Sequence, residues 1–447
     1  MDFRGKKITL MGLGLLGRGI GDARFLAAAG ADLIVTDLKT EAELAPAMEQ
    51  LREFPDIVYH LGGHRLEDFE GRDMILRAPN APLDSPFLAR ARKLGIPVEM
   101  DASLFVRLAF GSAPSARPAI VGITGTRGKS TTTHLIYEML RAAGKRTHLG
   151  GNERDTATLP LIDQVGRGDL VVLELDSWQL QGFEEDRISP NLAVWTNFLP
   201  DHMNYYHGDM DRYFRDKAAI ARFQKAGDAF IAPRGIREKI EARFGPLAGR
   251  YAEPAAPDAD WEIALPGDHN RANAACAVAA AREFGVPEAA MKTVLRTFAG
   301  LPGRLEPLGE KRNIEFYNDS NATTPEAAVA ALRALAAKHK PIVLIAGGND
   351  KELEFAAFAR EVQRSVKYLV LFEGKASEKI KALLPEDFPV AMAPSMRTAL
   401  DAALAAGIGG PSAPGIILLS PGATSFGIFR NEYDRGDQFR ALVAAER

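Results

Sequence analysis

Short apolar runs alternate along the chain with longer stretches whose apolar residues recur at helical spacing. The runs read as strands buried on both faces and the stretches as helices covering them. Their alternation predicts parallel α/β sheets. The pattern falls into three blocks. The first opens with a strand at Lys7–Met11, a glycine turn, a helix to Ala29 and a strand over 32–36, and continues through Met74–Arg77. Small residues and prolines over 111–118 cannot sustain an element and predict a linker. The second block begins with a strand at Ala119–Thr124, a glycine-rich loop, and a helix that carries Leu135, Ile136, Met139 and Leu140 on one face. Gly144 is placed to stop that helix. Strands over 170–175 and 192–196 follow, and a helix over 270–284 closes the block. Proline and glycine at 301–304 mark the next boundary. The third block has strands near 341–346, 368–372, 390–391 and 416–420, with helical stretches such as 325–337 between them.

Composition adds limits to this picture. At 447 residues the chain is too long for one core. A net charge of −3 advertises neither a nucleic-acid nor an anionic-membrane partner. No stretch approaches the ~18 apolar residues of a membrane span. The opening residues lack the length and cleavage site of a signal peptide. The expected location is therefore cytoplasmic, without membrane insertion. The single cysteine, Cys276, rules out a disulfide within the chain; in its alanine-rich run it reads as packing.

The strongest chemical signal is Gly122-Ile-Thr-Gly-Thr-Arg-Gly-Lys-Ser-Thr131, where an apolar strand feeds a glycine loop and a helix starts at Lys129. Glycines let main-chain amides curl around phosphates, and the helix N-terminus adds positive potential. Lys129 would reach the outer phosphates, and Ser130 or Thr131 would hold Mg²⁺. The glycine spacing, at 122, 125 and 128, departs from the usual Walker A loop. The bland alternative is a lysine in a tight turn. Glu174 ends an apolar strand, where a carboxylate suits a metal or its bound water, although a solvated strand end is the commoner explanation. Asp201-His-Met-Asn204 follows another strand, so His202 is a candidate beside the same crevice. Lys217, on a predicted helix, reads from the residues alone as a surface lysine. Gly12-Leu-Gly-Leu-Leu-Gly17, with Asp37 at the end of the second strand, is the dinucleotide fingerprint. It says that a phosphorylated ligand can rest on this turn, and it keeps an NAD-dependent dehydrogenase in view. Polar runs at 318–324 and 420–425 follow strands, where α/β ligand sites form, or are plain turns.

Taken together these motifs resemble the Mur ligase family over essentially the whole chain. The family P-loop GITGTxGKST stands at Gly122–Thr131, and its LEL-type strand with S and Q at Leu173-Glu-Leu-Asp-Ser-Trp-Gln179. Its TN…DHM segment stands at 196–203, HNxxN at His269–Asn273, GLPxR at 300–304 and NDSxAT at 318–323. The resemblance implies a three-domain α/β fold: a UDP-binding Rossmann-like domain (1–113), a central P-loop ATPase domain with a mostly parallel sheet (114–300), and a Rossmann-like amino-acid-binding domain (301–447). It also implies an ATP-dependent ligase joining glutamate to UDP-N-acetylmuramoyl-L-alanine in peptidoglycan precursor synthesis, acting as a monomer on small-molecule substrates. Gly125, Thr126, Gly128, Lys129, Ser130, Thr131, Asn270, Asn273, Arg304 and Asp319 would bind ATP. Ser130, Glu174, His202 and Lys217 would hold one or two Mg²⁺ ions, with Lys217 carbamylated, and Lys129, Glu174, His202 and Lys217 would be catalytic. Gly14, Leu15, Asp37, Asn152 and Ser177 would bind the UDP substrate. Thr323, Lys351 and Ser425 would face the amino acid.

The chain departs from the family pattern at several points. Arg127 stands where Asn is common, bringing extra positive charge into the phosphate loop. Asn152 is followed by Glu-Arg-Asp, and Ala78-Pro-Asn80 replaces an SPG turn. Asn321 replaces a lysine, and Asn431-Glu-Tyr-Asp-Arg-Gly436 lacks the usual phenylalanine. The last two lie where the amino acid should bind. A family ligase using another amino acid or folate therefore remains open, as does a P-loop nucleotide-binding switch. No NKxD-type guanine-reading segment supports the switch, and the turn with Asp37 favours a nucleotide sugar over folate.

Overall fold

The computed structural model describes residues 2–446 except 83, 112, 114–116, 155, 351, 407–413 and 426. Much of the expected linker and Lys351 thus lie outside the described residues. The chain forms two compact units, Met1–Asp258 with Ala272–Val294, and Ala259–Arg271 with Leu295–Arg447.

The first unit holds two sheets. One contains β1 (Lys7–Met11), β2 (Asp32–Asp37), β3 (Val58–Leu61), β4 (Met74–Arg77) and β5 (Val98–Glu99), all parallel, in the order β3-β2-β1-β4-β5. The other contains β6 (Ala119–Thr124), β7 (Thr147–Gly151), β8 (Leu170–Glu174), β9 (Leu192–Trp195), β10 (Ala229–Ile231) and β11 (Arg250–Ala252). It too is parallel, in the order β11-β10-β9-β6-β8-β7. In this order β6 lies centrally and the chain leaves it in both directions, which opens a crevice at its C-terminal end. Strands β6, β8 and β9 are apolar because helices cover both faces; Ile120, Val171, Leu173, Ala193 and Trp195 are all fully buried. The P-loop helix runs Lys129–Ala142 and buries the face read from the sequence, and Gly144 follows it at φ +74°.

The second unit holds one mixed sheet: β12 (Glu306–Lys311), β13 (Ile314–Asn318), β14 (Ile342–Gly347), β15 (Val366–Phe372), β16 (Val390–Ala393) and β17 (Gly415–Leu419), in the order β12-β13-β17-β14-β15-β16. Only β12 runs antiparallel, as a hairpin with β13. Because β17 inserts between β13 and β14, the loops that follow these three strands become neighbours. Short or polar strands escaped the hydrophobic reading: β3, β5, β7, β10, β11 and β12 lack a sustained apolar run. Cys276 is buried in the helix Asp268–Glu283, where burial pushes its thiol up to about 12, as a packing residue requires.

The two sheets of the first unit meet at an acidic clasp. Arg107 donates to Glu99 at 2.5 Å and lies 3.8 Å from Asp186. Burial and the neighbouring Asp186 push Glu99 up to about 7. The folded state therefore holds a proton that the unfolded chain releases near pH 4.5, so stability falls as pH rises from there through 7. Glu99→Gln, which imitates the protonated form, is expected to raise the melting temperature at pH 8 and to change it little at pH 4.5. Thermal unfolding across that range checks the sign.

Candidate functional site

Strand β6 delivers the glycine loop to the middle of its sheet. Gly125 has φ +147° and Gly128 φ +80°, and Gly128 serves as N-cap of the P-loop helix. A Cβ on Gly125 would lie 1.9 Å from Thr196 Oγ1, and one on Gly128 2.0 Å from Asn273 Oδ1. Both positions therefore need glycine for space as well as conformation. The loop is braced from the segment after β9. Asn197 O accepts from Thr126 N at 3.0 Å, Asn197 Oδ1 accepts from Arg127 N at 2.9 Å, and Thr196 Oγ1 donates to Arg127 O at 2.6 Å. The Thr126 hydroxyl donates to Leu199 O at 3.0 Å. Such a rigid turn at a helix N-terminus is a preformed anion cradle. Lys129 opens the helix, its Nζ donating to Thr126 O at 3.3 Å.

Glu174 ends β8 and is 2 % exposed. Its Oε2 accepts from the Ser130 hydroxyl, and its Oε1 accepts from Asn152 Nδ2 at 3.2 Å. Register places Gly151 opposite Glu174, and a Cβ there would meet the Glu174 carbonyl oxygen at 2.0 Å. Glycine at 151 is what allows Asn152 to close on the carboxylate. Ser130, Glu174 and Asn152, from three separate segments, thus form one contact chain.

His202 takes the left-handed conformation, φ 56°, with its ring 4.6 Å from that of Trp178 and its Nε2 3.6 Å from Asp201 Oδ2. Burial outweighs Asp201 and holds the imidazole down to about 4, with Lys129 and Lys217 pushing the same way. The ring is neutral at pH 7 and keeps a lone pair for a metal or a proton. Lys217 is no surface lysine. It is 1 % exposed on the helix Met210–Arg222, with Nζ 2.9 Å from Gly125 O and 3.3 Å from Thr124 Oγ1. The hydrophobic periodicity of that helix points Lys217 inward, a signal that the residue type alone conceals. Burial, aided by Lys129, lowers its amine well below the usual lysine range. Arg127 pairs with Asp201 at 3.1 Å, so its charge is matched by the segment after β9 and not simply added to the loop.

Other groups here carried no sequence signal. Gln181 donates to Asp216, beside Lys217, at 2.7 Å, and accepts from the buried Arg77 at 3.2 Å. Arg18 donates to Asn152 Oδ1 at 2.9 Å. Ser177, which the family resemblance did single out, is buried in the turn after β8.

At the first sheet, Gly12–Gly17 forms the expected turn, and the helix Arg18–Ala28 follows. Asp37 accepts from Gly14 N at 3.0 Å and Lys39 N at 2.9 Å, so its carboxylate also braces the loop. Leu15 is exposed at the tip.

The second unit brings together a different set. Asp319 is buried, accepting from Leu305 N at 3.0 Å and from Ser420 Oγ at 2.7 Å; burial raises it to about 7, against the pull of Arg304 and Arg435. Arg435, fully buried, donates to Ser320 O at 2.7 Å and Ala423 O at 3.3 Å, tying the loops after β13 and β17. Thr323 and Ser425 lie in those two loops, and the Ser425 hydroxyl is buried with no hydrogen-bond partner among the described residues. Asn270 donates to Pro266 O at 2.8 Å in the same unit, whereas Asn273 belongs to the first.

No group of three or more His, Cys, Asp or Glu side chains among the described residues is arranged to hold a metal. The Ser130 hydroxyl and Glu174 carboxylate form instead a sparse, buried set of hard oxygens. That suits Mg²⁺, which keeps several waters and takes further ligands from nucleotide phosphates.

Three family models match the chain: Mur ligase MurD-like, N-terminal domain over 6–99, Mur ligase middle domain over 123–244, and Mur ligase, glutamate ligase domain over 303–421. A UDP-N-acetylmuramoylalanine–D-glutamate ligase from Roseiflexus sp. (strain RS-1) is 39% identical, with 99% of each chain covered. One of the same name from Borreliella afzelii is 34% identical over 99% of this chain and 98% of its own. Among solved structures, UDP-N-acetylmuramate–alanine ligase from Thermotoga maritima superposes with a TM-score of 0.62 at 19% identity, covering 99% of this chain and 100% of that one. A MurF ligase from the same organism, in complex with ADP, gives 0.59 at 15% identity, covering 92% and 93%. No described helix is long and apolar enough to cross a membrane.

Proposed function

This chain belongs to the Mur ligase family, and from that premise we propose that it is the ATP-dependent ligase that joins D-glutamate to UDP-N-acetylmuramoyl-L-alanine in peptidoglycan synthesis. The assignment rests on one observation: the P-loop helix, Glu174, His202 and Lys217 converge at the C-terminal ends of the central strands of one sheet, in a chain that aligns end to end with ligases of that name.

A carboxylate resists attack by an amine because its leaving group would be oxide. The terminal alanine carboxylate therefore first attacks the γ-phosphorus of ATP, releasing ADP and forming an acyl phosphate. The glutamate amine then attacks the carbonyl carbon, loses a proton, and inorganic phosphate departs with the original carboxylate oxygen. The first step brings two anions together, and lowering that repulsion is the task of the site. The cradle of amides over 125–131 holds the phosphates and Lys129 neutralises them. Ser130 and Glu174 would hold Mg²⁺, with His202 and a carbamylated Lys217 for a second ion; the metal supplies charge neutralisation at the phosphates. A neutral His202 and a lysine amine lowered by burial suit those roles, since CO₂ adds only to an unprotonated amine. Gly14, Leu15, Asp37, Asn152 and Ser177 are assigned to the nucleotide sugar. Asn270, Asn273, Arg304 and Asp319 are assigned to ATP. Thr323, Lys351 and Ser425 are assigned to glutamate. We further assign the work to a cytoplasmic monomer of three domains, 1–113, 114–300 and 301–447.

Phosphate release with UDP-N-acetylmuramoyl-L-alanine and ATP tests the assignment. D-glutamate is expected to drive it, and L-glutamate to give less than about a hundredth of that rate, because a misplaced α-carboxylate leaves charged groups unpaired. Release driven equally by L-glutamate or another amino acid would overturn the substrate assignment.

A further inference from the structure

Arg18 is the first residue of the helix after the Gly12–Gly17 loop, on the first sheet, yet its side chain ends at the second. Its guanidinium donates to Asn152 Oδ1 at 2.9 Å and to Gly151 O at 3.3 Å. Asn152 in turn donates through Nδ2 to Glu174 Oε1, whose other oxygen takes the Ser130 hydroxyl. Arg18 Nε lies 3.5 Å from Asp101 Oδ2, and Asp22, one turn along the same helix, is also buried; burial and Asp101 push the Asp22 carboxyl up while Arg18 pulls it down. The arginine is thus anchored from behind by acidic groups and aimed at the Asn152 side chain and the adjoining Gly151 carbonyl.

An amide side chain has two flips, and its hydrogen-bond partners choose between them. A guanidinium has no acceptor, so it takes only the Asn152 oxygen and turns the NH₂ group toward Glu174. The carboxylate then keeps one oxygen on Asn152 and the other toward the P-loop serine. We propose that Arg18 is a positioning residue that couples the nucleotide-sugar loop of the first sheet to the metal carboxylate of the second. Occupancy of the Gly12–Gly17 loop by a uridine diphosphate fixes the helix start that carries Arg18, and Arg18 fixes Glu174 through Asn152. This rests on the site assignments above, namely that the loop takes the diphosphate and Glu174 the metal. Its prediction is linkage: a ligand of one sheet changes metal affinity at the other, and by reciprocity the metal changes affinity for that ligand.

The test is Mn²⁺ binding by the full chain in the presence of ADP, followed by loss of the free-ion electron paramagnetic resonance signal, with and without UDP. Wild type is expected to bind Mn²⁺ about 5-fold or more tightly when UDP is present, within the usual range of coupling between sites. Arg18→Met should bring that ratio to about 1. Arg18→Lys keeps a positive charge beside Asp22 and Asp101, but its single ammonium cannot face Asp101 and reach Asn152 at once, as the guanidinium does through Nε on one side and Nη2 on the other. It should therefore lose most of the ratio while keeping the wild-type melting temperature, and it carries the test if Arg18→Met does not fold. Asp22→Asn, which leaves the Asn152 contact in place, should keep the ratio. A coupling unchanged in Arg18→Lys would overturn the proposal alone, as would a wild-type ratio of 1. Failure of wild type to bind Mn²⁺ with ADP would overturn the metal-site assignment and this proposal with it.

Discussion

Lys129→Ala is expected to cut ATP-dependent amide formation by at least about 10³-fold, a loss of about 4 kcal/mol of transition-state stabilisation. Lys129 begins the P-loop helix, and its ammonium is positioned by the same turn that presents the main-chain amides. The transferred phosphoryl group and the attacking carboxylate both carry negative charge, so removing the nearest mobile cation raises the barrier where charge is most crowded. The change should not unfold the protein. Alanine is a better helix former than lysine, the loop geometry is set by Gly125, Gly128 and the Thr196–Asn197 brace, and the site loses a like charge that opposes both His202 and Lys217. A melting temperature within a few degrees of wild type, with turnover lost, is the expected pair of results. Retained turnover would refute the role.

The second large effect is at Lys217. Its amine is enclosed by Gly125 O, Thr124 Oγ1 and the Tyr213 ring, with Nζ 5.0 Å from the ring centroid. A buried ammonium costs solvation, and Lys129 adds repulsion, so the neutral amine is favoured at a pH where an ordinary lysine is charged. Addition of CO₂ forms an N–C bond, releases one proton and leaves an anion, which reverses the local charge and turns a repelled cation into a candidate metal ligand. Protein equilibrated with ¹³C-bicarbonate is expected to show a carbamate carbon resonance that Lys217→Ala lacks. The same variant should lose about 10³-fold in kcat. Because protonation blocks the addition, the resonance should weaken as pH falls. A wild-type spectrum without it, or full activity in Lys217→Ala, would contradict the carbamate role.

The sequence made the centre of each sheet legible and left its edges obscure. β6, β8 and β9 announced themselves as unbroken apolar runs, because helices cover both of their faces. β7, which reads Thr-His-Leu-Gly-Gly, carries no such run, yet it is the strand that brings Asn152 onto Glu174. The P-loop could be read residue by residue, since glycine at 125 and 128 is demanded by local conformation. Lys217 was legible only in part: the apolar periodicity of its helix turns it inward, but that it meets the phosphate loop depends on packing between segments far apart in the chain. The same holds for Arg18, whose acceptors on Gly151 and Asn152 lie more than a hundred positions away. Arg127 shows the converse. As a residue type it looked like added charge, and only the fold supplies Asp201 beside it. In the second unit, Asn318–Asp319 and Ser420 were visible as polar runs after strands. That β17 lies between β13 and β14, making their loops neighbours, is a matter of topology that no local pattern encodes.

All of these assignments depend on the phosphate cradle making the substrate carboxylate a nucleophile toward ATP. The most direct measurement starts from UDP-N-acetylmuramoyl-L-alanine labelled with ¹⁸O in its terminal carboxylate, and follows the label by mass spectrometry during a single round of amide formation. One ¹⁸O should appear in inorganic phosphate for each amide formed, with ADP as the other product. Amide formed with unlabelled phosphate, or label recovered in AMP, would mean that no acyl phosphate is made and that the site works by some other chemistry.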